Sequence, residues 1–406
     1  MKRTVGVGLA FLLGISSVSN VVSADTGVSN EEIVEEEVVE FDVIKEITLD
    51  MAIDRALNDS ASLMLLKYQL DLINSQEAVV AKDYRDIRID VRDLERDFDD
   101  LRGQEGSFQE RYAIYNQLDV FGDTLIQLEQ AIEKLKTGKV TLQYSEAEAR
   151  ESIKMGTIAA FTQFKMTEDQ LELRKQAVSV KEKEVAATKR QYELGLVSRD
   201  TYNTALRELD IQKSDIEQLE KNTYQEVVEF ALDLGIVFTE GFTLVDPDLS
   251  DLQLVTQEKT TDELVKNSFQ YKSQLEAISL AEFTRDQVYE DDDSDVYEKN
   301  EADINVQVEK QKLSQLELRL KESVRQLYYD AEDGYQAILD AERDLKNAEE
   351  DYQKLERRYQ VGLVSRVNYE NAAISVEQAR VALQLAQKSY FMLTKQIEMV
   401  EAGVIQ

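Results

Sequence analysis

The sequence predicts an all-α chain made of two tandem long-helix coiled-coil hairpin repeats, and three observations predict it. "RQYELGLVSRDTY" from Arg190 to Tyr202 returns as "RRYQVGLVSRVNY" from Arg357 to Tyr369, each matched position 167 residues on (359 − 192, 362 − 195, 365 − 198). Among 406 residues the one proline is Pro247, so nothing elsewhere removes a helical hydrogen bond or clashes with the turn before it. The third observation is a spacing. Tyr369, Ala372, Val376, Ala379, Leu383 and Ala386 stand alternately 3 and 4 residues apart, and Tyr390, Leu393, Ile397 and Val400 continue the series. A seam of that period belongs to a helix that supercoils left-handedly against a partner.

At the N-terminus, Lys2 and Arg3 precede an apolar run from about Val5 to Ile15 and a small-residue close at Val22-Ser23-Ala24. This is the form of a secretory signal over residues 1–24, with cleavage expected after Ala24. No cysteine follows it for a lipid anchor, and no later run approaches the ~20 apolar residues of a membrane-spanning helix. Residues 25–46 form an acidic segment with interspersed Val and Ile. An arm, a strand and a disordered lead-in all fit that composition.

The first hairpin repeat is expected over residues 47–235. It opens on a Thr48-x-x-Met51 cap with Met51, Ala52, Ala56 and Leu57 at helical spacing. Its incoming long helix is expected from near Ser145 to near Tyr192. Returning from the turn, Tyr202, Ala205, Leu209, Ile216 and Leu219 carry a seam. Gly235, Gly241 and Pro247 then break helicity in a linker over 236–260, where Thr243 to Val245 can pair as strand. The second repeat, 261–406, holds a seam running from Leu313 through Leu320, Val324, Leu327, Ala331 and Ile338 to Tyr359, with Gly334 in one apolar place.

Composition excludes much chemistry. The chain has no cysteine, histidine or tryptophan, so thiol catalysis, disulfides, ordinary zinc sites and Ser-His-Asp or Cys-His pairs are absent. Asp291, Asp293 and Asp295 alternate as in a calcium loop, but Val296 holds the sixth place and Ala302 the twelfth, where Gly and Glu are needed. A solvated loop is expected there, with no metal, no cofactor and no enzymatic activity. Net charge is −34, or −36 without Lys2 and Arg3 (−34 − 2). Such a surface repels nucleic acid and anionic lipid.

The repeated turn has a physical reading. Gly195 and Gly362 suit the C′ place, where a left-handed residue ends a helix. Ser198 and Ser365 suit the N-cap of the returning helix. Leu196 and Val197, and Leu363 and Val364, are left at the apex, and exposed apolar residues there point to a partner. Folding back as staples on their own hairpin is the alternative.

Two repeats with a Tyr-x-x-Gly-x-x-Ser tip and an Ala-rich returning seam resemble the TolC-type outer-membrane efflux protein family. "TLDMAIDRALNDSASLMLLKYQLDLINSQEA" is similar to its opening segment and "SYFMLTKQIEM" to its closing one. The resemblance implies a homotrimer forming a twelve-helix tube, open-end tips at Gly195 to Ser198 and Gly362 to Ser365 that dock a membrane-fusion adaptor, and an inner-membrane pump beyond it. It also implies export to the cell envelope. Two departures follow. The family's barrel strands fall on "RDIRIDVRDLERDFDDLRGQEGSFQERYAIYNQLD", with a brief alternation at Ile87 to Val91, and on "QVYEDDDSDVYEKNEADINVQVEK". Both are too charged for lipid-facing strands, so no transmembrane β-barrel is expected. The family's constricting acidic pair falls on Asn368 and Asn371, neutral amides that can still narrow a bore. A passive helical conduit is the function this implies; a structural coiled-coil envelope protein that conducts nothing is the alternative.

Overall fold

A computed structural model describes residues 45–406 apart from 103, 238–240, 251 and 292–293. The expected signal segment 1–24 and the acidic segment, except Lys45 and Glu46, lie outside the described residues.

The described chain is helical, with two two-residue strands and no barrel. In order run β1 (Glu46–Ile47), α1 (Leu49–Asn58), α2 (Ala61–Asp100), α3 (Phe108–Glu193), α4 (Arg199–Asp233), β2 (Thr243–Leu244), α5 (Thr261–Asn267), α6 (Phe269–Glu290), α7 (Val296–Gln360) and α8 (Arg366–Glu401). The strands pair in parallel, Glu46 with Thr243 and Ile47 with Leu244. Local sequence explains the starts. Thr48, Ser60, Thr260 and Ser268 each accept a backbone N–H from the first turn of the helix they precede, which satisfies a donor the helix leaves orphaned. Asp295 does the same for α7 by accepting from Tyr297 and Glu298, so part of the apparent calcium loop is a helix cap.

One expectation is corrected: the long incoming helix begins at Phe108, not near Ser145. The brief alternation at Ile87 to Val91 lies inside α2, in keeping with the expectation of no barrel strands. The reason is a heptad seam on each helix. Along α2, Tyr84, Ile87, Val91, Leu94 and Phe98 are the less exposed residues, spaced 3, 4, 3 and 4; along α3, Ile114, Leu118, Phe121, Leu125 and Leu128 are spaced 4, 3, 4 and 3. The two helices pack on each other as an antiparallel coiled coil. Their turn is held by Ser107, whose hydroxyl donates to the carbonyls of Leu101 and Gln104.

The helices form four rods side by side. α3 packs on α2, α4, α6 and α8, and α7 packs on α6 and α8. The start of α6 meets the end of α8, where the Phe269 N–H donates to the Gly403 carbonyl at 2.8 Å. The end of α4 meets α1 through Ala52, Phe230, Ala231 and Leu234. The rods are therefore α2 with α4, then α3, then α6 with α8, then α7. Cores gather at the waist where the rods join: one around Ile47, Phe161 and Ile236, another around Leu264, Val324 and Ile405, and a third bridging α3 and α8 through Met155 and Met399.

The inter-repeat linker is strapped to this waist. Tyr390, fully buried, donates through its hydroxyl to the Gln253 carbonyl and accepts from the Val255 N–H. Asp246 lies between two buried lysines, 3.3 Å from Lys165 and 3.2 Å from Lys388, and Lys388 also pairs with Asp169. Burial works against the charge of Lys165, but Glu168 and Asp246 outweigh it and hold its pKa above the ordinary value.

Candidate functional site: the paired hairpin tips

The repeated turn is the same object twice. Gly195 and Gly362 both take φ 72°, a left-handed conformation that costs a residue with a Cβ about 1 kcal/mol or more. The Gly195 N–H donates to Tyr192 and the Leu196 N–H to Gln191, at 2.9 and 2.8 Å; Gly362 donates to Tyr359 and Leu363 to Arg358, both at 2.9 Å. Those paired bonds are the Schellman ending, which satisfies carbonyls the helix would leave bare. Ser198 then accepts from the Thr201 N–H at 3.1 Å and Ser365 from the Asn368 N–H at 3.2 Å. Each chain reversal thus uses a glycine to stop and a serine to restart.

Below each apex a tyrosine pair clamps the hairpin. Tyr192 stacks on Tyr202 at 5.6 Å, and Tyr359 on Tyr369 at 4.7 Å. The second hairpin adds Tyr352, whose hydroxyl donates to that of Tyr369 at 2.6 Å. This hydrogen bond, with burial adding to it, pushes the Tyr352 pKa up to about 12.

The structure places the sequence-predicted apex residues in two groups. Leu196 and Leu363 are 71% and 72% exposed, whereas Val197 and Val364 are half-buried. Two residues that sequence reasoning missed replace the valines at the surface: Leu194 at 74% and Val361 at 69%. They are the C-cap residues, immediately before the glycines. An apolar residue on each side of an exposed glycine was the signal that could have found them. Asn368 and Asn371 are both exposed, and the Asn371 amide donates to Glu184 at 2.9 Å.

The two tips stand together. Lys183 bridges to Glu370 at 3.4 Å, and Arg366 holds the same carboxylate at 2.9 Å. Glu184 lies 11 residues before Gly195 and Asn371 lies 9 after Gly362 (195 − 184, 371 − 362), while Asp169 and Lys388 are each 26 from their glycines (195 − 169, 388 − 362). At 1.5 Å per residue the apices are level to within about 3 Å. Four large apolar side chains are thereby presented at one end of the molecule.

No helix among the described residues is long and apolar enough to cross a membrane. No cluster of three or more acidic side chains arranged to hold a metal ion occurs among the described residues. No family model and no curated protein sequence matches the chain. Solved structures do. The outer membrane protein VceC from Vibrio cholerae superposes with a TM-score of 0.54 over 88% of this chain and 97% of its own, at 12% identity. The CmeC outer membrane channel of Campylobacter jejuni gives 0.56 over 96% and 95%, at 13% identity. The open-state MtrE outer membrane channel of Neisseria gonorrhoeae gives 0.57 over 87% and 89%, also at 13%.

The chain has the TolC-type fold. What these matches share with it is the arrangement of long helices, since so low an identity carries no residue-level correspondence. The two stretches on which the resemblance places strands are largely helical here among the described residues, one in α2 and α3 and the other at the end of α6 and the start of α7.

Proposed function

We propose that the protein is the helical conduit of an envelope export or efflux assembly, a passive tube formed by three copies and docked to an adaptor through its paired tips. The observation that carries this reading is the state of the outer rods. At one edge α2 leaves Leu65, Tyr68, Leu72 and Val79 exposed; at the other, α7 leaves Tyr297, Ile304, Val308 and Leu318 exposed. Both sets stand at heptad-compatible spacing on helices that already have a partner on another face. The edges are different surfaces, so joining them is a heterologous contact, which closes into a ring when the rotation allows. Three copies of four rods give twelve, the number the resemblance implies.

In this reading Leu194, Leu196, Val361 and Leu363 meet an adaptor hairpin that leads to an inner-membrane pump. Asn368 and Asn371, one and two turns behind the second tip, narrow the bore as neutral groups. Export into the cell envelope follows from the signal-like N-terminus.

The chain has no cysteine of its own, so an engineered pair reports the edge contact cleanly. The Glu77–Lys139, Glu148–Gln270 and Gln274–Glu309 contacts put Leu72 and Val308 at similar heights on opposite edges. Oxidation of a Leu72→Cys, Val308→Cys chain should give a covalent ladder ending at the trimer. A ladder that stops at the dimer, or no ladder, contradicts the ring.

A further inference from the structure

The α2–α3 hairpin reaches well past its counterpart in the second repeat. Glu148 and Gln270 are hydrogen-bonded at 3.0 Å and so mark one height. From there α3 runs back 40 residues to Phe108 (148 − 108), while α6 runs 20 to Glu290 (290 − 270). At 1.5 Å per residue the first hairpin projects roughly 30 Å beyond the α6–α7 turn. At that level the protomer is two helices wide, α2 packed on α3.

The exposed surface of this projection is polarised. With Tyr84 at a and Ile87 at d, Asp83, Asp90 and Asp97 fall at g and Asp86 and Asp93 at c, all exposed. Arg85 and Arg92 fall at b and Arg88 at e, also exposed. At 100° per residue the aspartate row and the arginine row lie about 140° apart, one on each side of the seam. On α3, in the register that puts Ile114 at d, Phe108 and Tyr115 occupy e and Tyr112 occupies b, exposed by 60% or more. In an antiparallel pair the e positions of the two helices share a side. The arginines and the aromatic residues therefore lie together on one face, which also carries exposed Glu95 at e, Asp99 at b and, on α3, Asp119 at b, so its basic stretch is Arg85 to Arg92; the aspartate row lies on the other face. Among the described residues only Asp93 of that row pairs with arginine, taking exposed contacts from Arg92 at 3.7 Å and Arg96 at 3.4 Å.

We infer that the projecting hairpins of neighbouring copies pack against each other, the arginine and aromatic face of one on the aspartate face of the next, so that the tube continues as a narrower six-helix collar. The occupant is a second copy because the two faces of one hairpin are complementary in charge. Each copy offers what its neighbour lacks, and the same face-to-face step repeats around a ring. Flanking charges of this kind set partner choice and orientation in coiled coils. The net charge of −34 makes the arginine row unusual within the chain, and an acidic partner surface is available on every copy. The inference rests on the ring proposed above.

The test uses the full-length exported chain and three variants. Reversing the basic row (Arg85→Asp, Arg88→Asp, Arg92→Asp) should weaken self-association by roughly tenfold or more, read by sedimentation at low salt. Reversing the acidic row (Asp83→Arg, Asp86→Arg, Asp90→Arg) should do the same. Combining all six changes in one chain should restore association, because the faces are complementary again with their signs exchanged. The rescue separates lost pairing from lost folding, and helical content by circular dichroism accompanies each variant. Single-row variants that associate like the parent, or a six-fold variant that is not rescued, overturn the collar. If the covalent ladder of the Leu72→Cys, Val308→Cys chain persists in those cases, the collar fails while the conduit reading stands. A parent chain that neither sediments as an oligomer nor forms the ladder removes both.

Discussion

Asn371 donates a hydrogen bond to Glu184 across 2.9 Å and 187 residues of sequence, and this contact fixes the two hairpins side by side a few turns below their tips. One residue earlier on each helix, Lys183 bridges to Glu370. These polar contacts tie the two hairpins together below the tips, which makes their spacing sensitive to pH and to single substitutions.

The Glu370 pKa is held below its ordinary value of 4.5, first by the hydrogen bond from Arg366 and, against the opposing effect of burial, also by Lys183. A depressed carboxylate contributes stability that is present above 4.5 and is lost as the pH falls through the folded value. Spin labels on Glu193→Cys and Gln360→Cys, one residue position before each C-cap, should report a broader distance distribution once acidification has carried the solution well below 4.5 than at pH 7. Glu370→Gln should show the broadening already at pH 7. An unchanged distribution in both cases would remove the cross-tie from the account.

Tyr352 behaves in the opposite sense. Its pKa is raised to about 12 by the hydrogen bond to Tyr369 and by burial, so the neutral form is favoured and the associated stability is complete below the ordinary value of 10. It is lost as the pH rises through about 12. Thermal melts should fall in Tm between pH 10 and pH 12, and Tyr352→Phe should fall less over that interval. Parallel curves for the two chains would show that the pair does not titrate as a unit.

Gly334 sits in α7 against the buried Tyr390. A Cβ there would lie 2.9 Å from Leu393 Cδ1 and 3.3 Å from Tyr390 Cδ2. Helix propensity alone favours Gly334→Ala by about 1 kcal/mol, but overpacking typically costs about 1–3 kcal/mol, and Tyr390 cannot yield without releasing Val255 and Gln253. Denaturant unfolding should therefore show Gly334→Ala to be destabilising. Gly122→Ala, where an added Cβ meets nothing, should be stabilising in the same assay.

Much of this was legible in the sequence, for reasons that differ by element. The α7 and α8 seams are apolar at nearly every place, so their period stands out, and Gly334 could be seen to fill a slot although its close approach to Tyr390 could not. The α2–α3 projection was obscured because Ile87, Ile89 and Val91 alternate like a strand. A longer window places Ile87 and Val91 on the seam and leaves Ile89 exposed. At the tips, glycine and serine declare the turn, while the side each apolar neighbour faces depends on the Schellman geometry. That geometry turns Leu194 and Val361 outward and Val197 and Val364 partly inward. The linker strap was hidden altogether, since Asp246, Lys165 and Lys388 are brought together only by tertiary packing.

Exposure at the apices sets the expectation for the docking tips. Leu196→Ser with Leu363→Ser leaves both glycines in place and removes side chains that are mostly in water, so the melt should shift by no more than about 0.5 kcal/mol of stability. Copurification with the adaptor of the host envelope should be lost. An early melt with copurification retained would make the apices internal staples, with the duplicated turn serving folding alone.

The central claim is that the rods close into a tube. Single-particle electron imaging of the chain, purified without a partner, tests it most directly. The account predicts a ring of three copies, twelve rods around a continuous axial bore, with all six tips at one end and the α2–α3 projections at the other. A monomeric or dimeric closed bundle with no bore would contradict it and leave a structural coiled-coil protein in its place.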